Sequence, residues 1–366
     1  MKNIISYAAA ARESFRVRPF TAVDSLIFSQ LSYMRLDSIW NDPAFPAFIS
    51  LEKLAEREES SALFADMVHA NPTRRLLGVL AKNPRFRDTI VCFHTNRLDP
   101  ARETQFSATT FLLEDETAYL AYRGTDLTFV GWKEDFNLAF LSPVPAQREA
   151  VVYLEAVAQD APFPLRLGGH SKGGNLAVYA AIHAAPETAD RVVSVFSHDA
   201  PGFRDNVFES EGYHRMKGRI CATLPQSSQI GMLLHHLNDY SVIRSSNLWL
   251  FQHDPFSWEV DGADFRYVKQ LTDGAVFMNR TVNAWIDSLD DAQRELFANT
   301  LYGIMTGTGA ESLADLTMDW QKRSAGYVSA IKEIDEETRT MLHQILLSLF
   351  RMGWSNLRRD RYEKQE

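Results

Sequence analysis

The sequence predicts an α/β fold, with a mostly parallel central sheet between a helical N-terminal segment and a helical C-terminal extension. Three observations predict it. Residues 1–85 carry mainly helical spacing of apolar side chains. Between residues 86 and 275, runs rich in β-branched and aromatic residues alternate with helical patterns. Residues 276–366 return to helical spacing with few β-branched runs, which reads as a cap or lid. No internal repeat or low-complexity stretch interrupts this plan.

The elements follow in order. FTAVDSLIFSQLSYMR (20–35) has apolar residues near helical spacing, with Asp24 near its start as a cap. Stretches at 47–57, 60–69 and 73–82 also read as helices. TIVCFHTNRL, QFSATTFLLED and TAYLAYRGTD then read as consecutive strands separated by polar turns. Residues 130–138 and 146–159 read as helices, LRLGG as a short strand, and SKGGNLAVYAAIHAA as a helix opening at Ser171. RVVSVFSHDAPG and RICATLP are buried strands, while SVIRSS and NLWLFQ are weaker ones.

The 366 residues, 45% hydrophobic and 23% charged, are enough to bury a sizeable core. A formal net charge of −9 argues against general nucleic-acid binding and against adsorption to anionic lipid by bulk charge. The cluster Arg358, Arg359 and Arg361 reads as a solvated helix end. Cys92 and Cys221 form no disulfide framework, and no Cys/His spacing suggests zinc. The short apolar run after Lys2 is interrupted by Ser6 and Tyr7, so it reads as the start of a mature cytoplasmic protein. No apolar run reaches the roughly 20 residues of a membrane span.

The most specific motif is Gly169-His170-Ser171-Lys172-Gly173. It follows a short apolar strand and opens a helix with Leu176, Ala177, Ala180 and Ala181 on one face. A serine hydroxyl becomes a useful nucleophile only when held beside a base. A sharp strand-to-helix turn exposes its oxygen, and glycines at 169, 173 and 174 remove side chains that would clash there. This nucleophile elbow is the mark of an α/β-hydrolase, with Ser171 as nucleophile. The amide of Lys172 at the helix N-terminus is one oxyanion donor. The GGHSKGG string lacks phosphate-loop spacing, so nucleotide binding is set aside, and no cofactor is expected. Upstream, Arg123-Gly124-Thr125-Asp126 follows a strand, where this fold draws its second oxyanion donor. Thr125 sits where its amide serves, and Asp135 is a partner for Arg123.

The pieces FTAVDSLIFSQLSYM, AYRGTD, GGHSKGGNLAVYAA, HDAPGF, LPQSSQIGMLLHH and QHDPFSWEV span roughly residues 18 to 262. Together they resemble the class 3, or fungal-type, lipases, and within that superfamily the bacterial Mbeg-like branch. The resemblance implies an α/β-hydrolase fold and hydrolysis of an ester or similar acyl bond.

In this architecture the histidine base follows the nucleophile in the chain. His183 lies about three turns along the elbow helix and points away. His214 reads as surface loop, His235 and His236 as part of a leucine-rich helical stretch, and His343 as helical tail. His198 is close to a strand end. His253, in the turn Gln252-His253-Asp254-Pro255 after the last strand and before SWEV, fits the base best. The acid is Asp199, ending the strand VVSVFS, or Asp239, with Asp199 preferred. The class 3 pattern carries its acid one strand later, where this chain has Pro225-Gln226-Ser227-Ser228 and no carboxylate.

These parts describe a serine hydrolase acting on a small-molecule or lipid acyl substrate through an acyl-enzyme. An acyltransferase would use the same residues. A non-catalytic binding protein on the same fold, or a helical scaffold centred on residues 290–350, are readings from other classes.

Overall fold

The computed structural model describes residues 2–307 except 41–46, 58–60, 66, 100, 102–103, 126–132, 135–136, 139–142, 205–206, 236 and 238, together with 336, 338–340 and 347. Much of the expected 130–138 helix, Asp126, Asp135, His236, His343 and the tail arginines lie outside the described residues.

The strands in chain order are β1 (Ile49–Ser50), β2 (Ile90–Asp99), β3 (Thr104–Leu112), β4 (Ala118–Tyr122), β5 (Leu165–His170) and β6 (Val192–His198). They continue as β7 (Ile220–Pro225), β8 (Tyr240–Ile243), β9 (Val260–Asp261), β10 (Asp264–Phe265) and β11 (Tyr267–Val268). Among the described residues, β1 to β8 lie side by side in chain order and β11 closes the edge beyond β8, while β9 and β10 form a separate hairpin. Strands β1 to β4 are antiparallel neighbours, β4 to β8 run parallel, and β11 returns antiparallel to β8. β4 is buried along its whole length, as a strand covered on both faces must be.

Helices cover both faces. The helices Ile4–Ala10, Ala22–Leu31 and Ala70–Leu80 share one apolar core with Phe15, Phe86, Phe111 and Tyr119. The helices Pro145–Asp160 and Lys172–His183 fill the other with Tyr122, Leu167 and Val195. Asp24 stands at the third position of its helix in a capping box, and Thr21 is the cap. Asp24 is also fully buried against Arg85, at 2.7 Å, and accepts from the Tyr7 hydroxyl at 3.0 Å. The same guanidinium donates to the carbonyls of Glu13, Arg18 and Pro19. Breaking such a buried pair from one side costs about 3–5 kcal/mol, so it pins the N-terminal segment to the core.

Several local expectations are corrected, among them the helix expected at 60–69, where the described residues form only a 3-10 turn at Ser61–Phe64. Residues 247–252 are not a strand, because β11 already occupies the free edge of β8. The chain instead turns at Trp249, whose φ is +54°, into a 3-10 helix Trp249–His253. The helix expected at 47–57 starts only at Leu51, because Ile49 and Ser50 pair with Val91 and Ile90. His235 is not helical: it lies in an exposed loop that bridges back to Phe203.

Candidate active site

The site grows from the register of two neighbouring parallel strands. His170 of β5 is paired with His198 of β6, so the next residues, Ser171 and Asp199, leave the sheet side by side at its carboxyl edge. The ladder continues one step past both strands: Ser171 N donates to His198 O at 2.9 Å, and Asp199 N donates to Thr223 O at 2.8 Å. Both residues have positive φ, +58° for Ser171 and +47° for Asp199. For side chains other than glycine that conformation is costly and concentrates at functional sites.

The glycines explain how the elbow closes. A Cβ on Gly169 would stand 2.2 Å from the Gly173 carbonyl carbon, and one on Gly173 would stand 2.0 Å from the Tyr122 oxygen. The turn therefore packs backbone on backbone, with Ser171 raised at its apex and the helix Lys172–His183 running inward behind it.

Asp199 is almost wholly buried and fully occupied. Its Oδ1 accepts from the Ser228 hydroxyl and, at 3.1 Å, from the Gly231 amide. Its Oδ2 lies 2.6 Å from His253 Nδ1. The place after β7 that has no carboxylate in the sequence thus supplies Ser228, which bonds the carboxylate arriving from β6. His253 is half-buried and its ring lies over that of His170, with centroids 4.4 Å apart. Since His170 directly precedes Ser171, His253, Asp199 and the elbow serine converge from three segments. The Ser171 hydroxyl makes no hydrogen bond to His253 among the described residues. Such contacts are often long in unliganded enzymes and tighten with substrate.

The His253 turn is braced on both sides. Buried Gln252 accepts from Ser227 N at 2.8 Å and donates to Asn247 O at 2.8 Å, and Trp258 Nε1 donates to Gln252 O at 2.8 Å. Asp254 caps the next 3-10 turn through Phe256 N and lies 3.6 Å from His69 Nε2. Leu248, Trp249 and Phe251, just before His253, are largely exposed.

The candidate oxyanion loop abuts the elbow. A Cβ on Gly124 would meet Ser171 Cβ at 3.2 Å, His170 O at 2.7 Å and the Tyr33 hydroxyl at 2.1 Å. Thr125 follows, half-buried, and Lys172 follows Ser171 on the other side. The Lys172 side chain is itself buried. Its ammonium donates to Gln105 O at 3.0 Å, Gln105 Oε1 at 2.8 Å and Glu134 Oε2 at 2.9 Å. Glu134 also accepts from Gln105 N and Ala146 N, so the pair clamps the start of the elbow helix to β3. Arg123 donates to Asn96 Oδ1 at 3.0 Å.

The remaining candidates lie elsewhere. His198 is buried in the sheet between Thr223 Oγ1 at 2.7 Å and Ser25 Oγ at 2.9 Å, and burial pushes it down to about 3, so it stays neutral. Burial also holds His170 well below the ordinary histidine range, helped by the neighbouring histidines 253, 198 and 69. His183 bonds Tyr179 O on its own helix, and His214 stands on the short helix Glu211–Met216, not a loop. Asp239 is exposed before β8. His170 lies within the GxSxG string and Ser228 and Gly231 within LPQSSQIGMLLHH, but their contacts, like those of Glu134, are shown only by their spatial neighbours.

Residues 80–303 match the Mbeg1-like family. The chain belongs to the Mbeg1-like family. No curated protein matches this Mbeg1-like chain. Among solved structures it is similar to the native propeptide complex of Rhizomucor miehei lipase, at 15% identity and TM-score 0.36, covering 69% of this chain and 73% of that one. It is also similar to lipase II from Rhizopus niveus, at 15% identity and TM-score 0.37, covering 67% and 84%. A lipase from Rhizopus microsporus var. chinensis gives 16% identity and TM-score 0.37, covering 64% and 88%. The α/β-hydrolase fold of this Mbeg1-like chain stands on its own sheet order and elbow.

Proposed function

We propose that the chain is a serine hydrolase that cleaves a carboxylic ester or similar acyl bond through an acyl-enzyme on Ser171. The observation that carries this reading is the 2.6 Å contact between His253 Nδ1 and Asp199 Oδ2, with Asp199 one residue past the strand pairing that also delivers Ser171. A proton held on Nδ1 by the carboxylate leaves Nε2 as the lone-pair nitrogen.

In this reading Ser171 Oγ attacks the acyl carbonyl and His253 Nε2 takes its proton. The amides of Thr125 and Lys172 donate to the oxyanion. Collapse of the tetrahedral adduct expels the alcohol, which receives the proton back from His253. Water then attacks the acyl-serine with His253 again as base, and the acid leaves. An acceptor alcohol in place of water makes the same site an acyltransferase. The absent Ser171–His253 hydrogen bond favours, as the second reading, a binding protein that keeps the fold without the chemistry.

A fluorophosphonate probe separates these. The hydrolase reading expects labelling of the wild-type protein, none of Ser171→Ala, and strongly reduced labelling of His253→Ala. A folded wild-type protein that resists the probe and leaves p-nitrophenyl esters untouched would sink the catalytic reading and leave the binding one.

A further inference from the structure

The helical extension and the loops at the carboxyl edge of the sheet bound a partly open, mainly apolar space. A cavity of about 210 Å³ lies between the helices Asp273–Ser288 and Asp291–Gly307 and the loops at the carboxyl edge of the sheet. Leu138, Pro201, Leu234, Trp285, Phe297 and Ala298 are among its walls. Trp285 and Phe297 meet edge to face at 5.4 Å and form one wall.

The walls of this cavity are tied to the triad's supports. Pro201 stands two residues past Asp199, and its carbonyl accepts from Asn175, one turn beyond Ser171. Leu234 N donates to Asn283 Oδ1 at 2.9 Å, and Asn283 Nδ2 donates to Met232 O at 2.7 Å. Asn279 Nδ2 donates to the carbonyl of Ser228, whose hydroxyl bonds Asp199. Ser171, Asp199 and His253 line neither this cavity nor a larger cleft of about 640 Å³ along β8 and β11, but the cavity takes Pro201, two residues past Asp199, into its wall, whereas the cleft is lined by Lys269, Asp273 and Arg280 among others and not by Pro201.

We infer that this cavity receives the acyl chain of the ester that Ser171 attacks, an inference that rests on the hydrolase reading above. The lining is apolar apart from Arg294, whose guanidinium is engaged by Ile286 O and Asp291 Oδ1, so a hydrocarbon fits it better than a charged or sugar-like group. An apolar cavity of about 150 Å³ holds one benzene, so this one holds a chain of roughly six to eight carbons. The two C-terminal helices are therefore specificity elements, and the preferred substrate is a medium-chain acyl ester. Each methylene that the cavity buries raises kcat/KM roughly fourfold.

The test compares p-nitrophenyl acetate and octanoate in wild type, Ala298→Trp, which fills the cavity, and Trp285→Ala, which enlarges it. Thermal melting checks that each variant is folded. The octanoate-to-acetate ratio of kcat/KM is expected to fall at least about tenfold in Ala298→Trp, and the preferred chain to lengthen by several carbons in Trp285→Ala. An unchanged ratio in both folded variants overturns the assignment. Calorimetric binding of octanoate to Ser171→Ala separates the two levels. Binding that disappears in Ser171→Ala/Ala298→Trp, in a protein inert toward esters, keeps the cavity and removes the hydrolase. Equal octanoate binding in both removes the cavity.

Discussion

At the scale of single residues, Asp199 carries the sharpest consequence. Its two oxygens are filled by Ser228, Gly231 and His253, whereas Asp239 is exposed and bonds none of them. Asp199→Asn preserves shape but lets the amide present the wrong group to Nδ1, so kcat for ester hydrolysis should fall by roughly 10⁴. Asp239→Asn should stay within about twofold, as a surface substitution does. Steady-state kinetics on the two variants decides between them. The elbow around Ser171 was legible because a strand-to-helix turn that packs backbone on backbone demands glycines at fixed offsets. Asp199 and Asp239 both precede or follow strands, and only the strand pairing distinguishes them. The Ser228 and Gly231 bonds to Asp199, and the buried Glu134–Lys172 pair, arise from long-range packing that leaves no local pattern.

At the scale of elements, the elbow tolerates no side chain where its backbone segments touch. Gly173→Ala would put a Cβ 2.0 Å from the Tyr122 oxygen, while a methyl group on Gly78, within the helix Ala70–Leu80, would have nothing within 4 Å. Gly173→Ala should cost on the order of 4 kcal/mol or more, or prevent folding. Gly78→Ala should stabilise by about 0.5–1 kcal/mol by removing backbone freedom from the unfolded chain. Thermal melting reads both. The central strands were legible because doubly covered strands are continuous apolar runs. The stretch before His253 reads as a strand in the sequence because Leu248, Trp249 and Phe251 are strand-like residues. In the folded chain they are exposed, and the sheet edge they would have used belongs to β11.

At the scale of the whole molecule, His170 and His198 are, among the described residues, buried histidines that cannot accept a proton without unfolding pressure. His198 is pushed down to about 3 by burial, and His170 lies well below its usual value for the same first reason. From about pH 6.5 down to about 3 the unfolded chain binds the proton that folded His198 refuses. Stability therefore falls with pH through that window, by about 1.4 kcal/mol per pH unit for this one group. His198→Gln should be weaker at neutral pH, having lost part of the Thr223–Ser25 network, yet show a shallower acid slope. Urea unfolding at several pH values checks it, and an unchanged slope contradicts it. Among the described residues no helix is long and apolar enough to cross a membrane.

The amino end is stitched to the turn that follows the candidate base: Asn3 Nδ2 donates to Phe256 O at 2.9 Å, and Val260 N donates to Lys2 O at 3.0 Å. During synthesis the first helix must wait for some 250 further residues before these bonds can form. The nascent chain therefore carries its serine and aspartate on a half-built sheet, with no imidazole delivered to them. On the hydrolase reading proposed above, acyl chemistry would wait until residues 253–260 have emerged and joined the amino end.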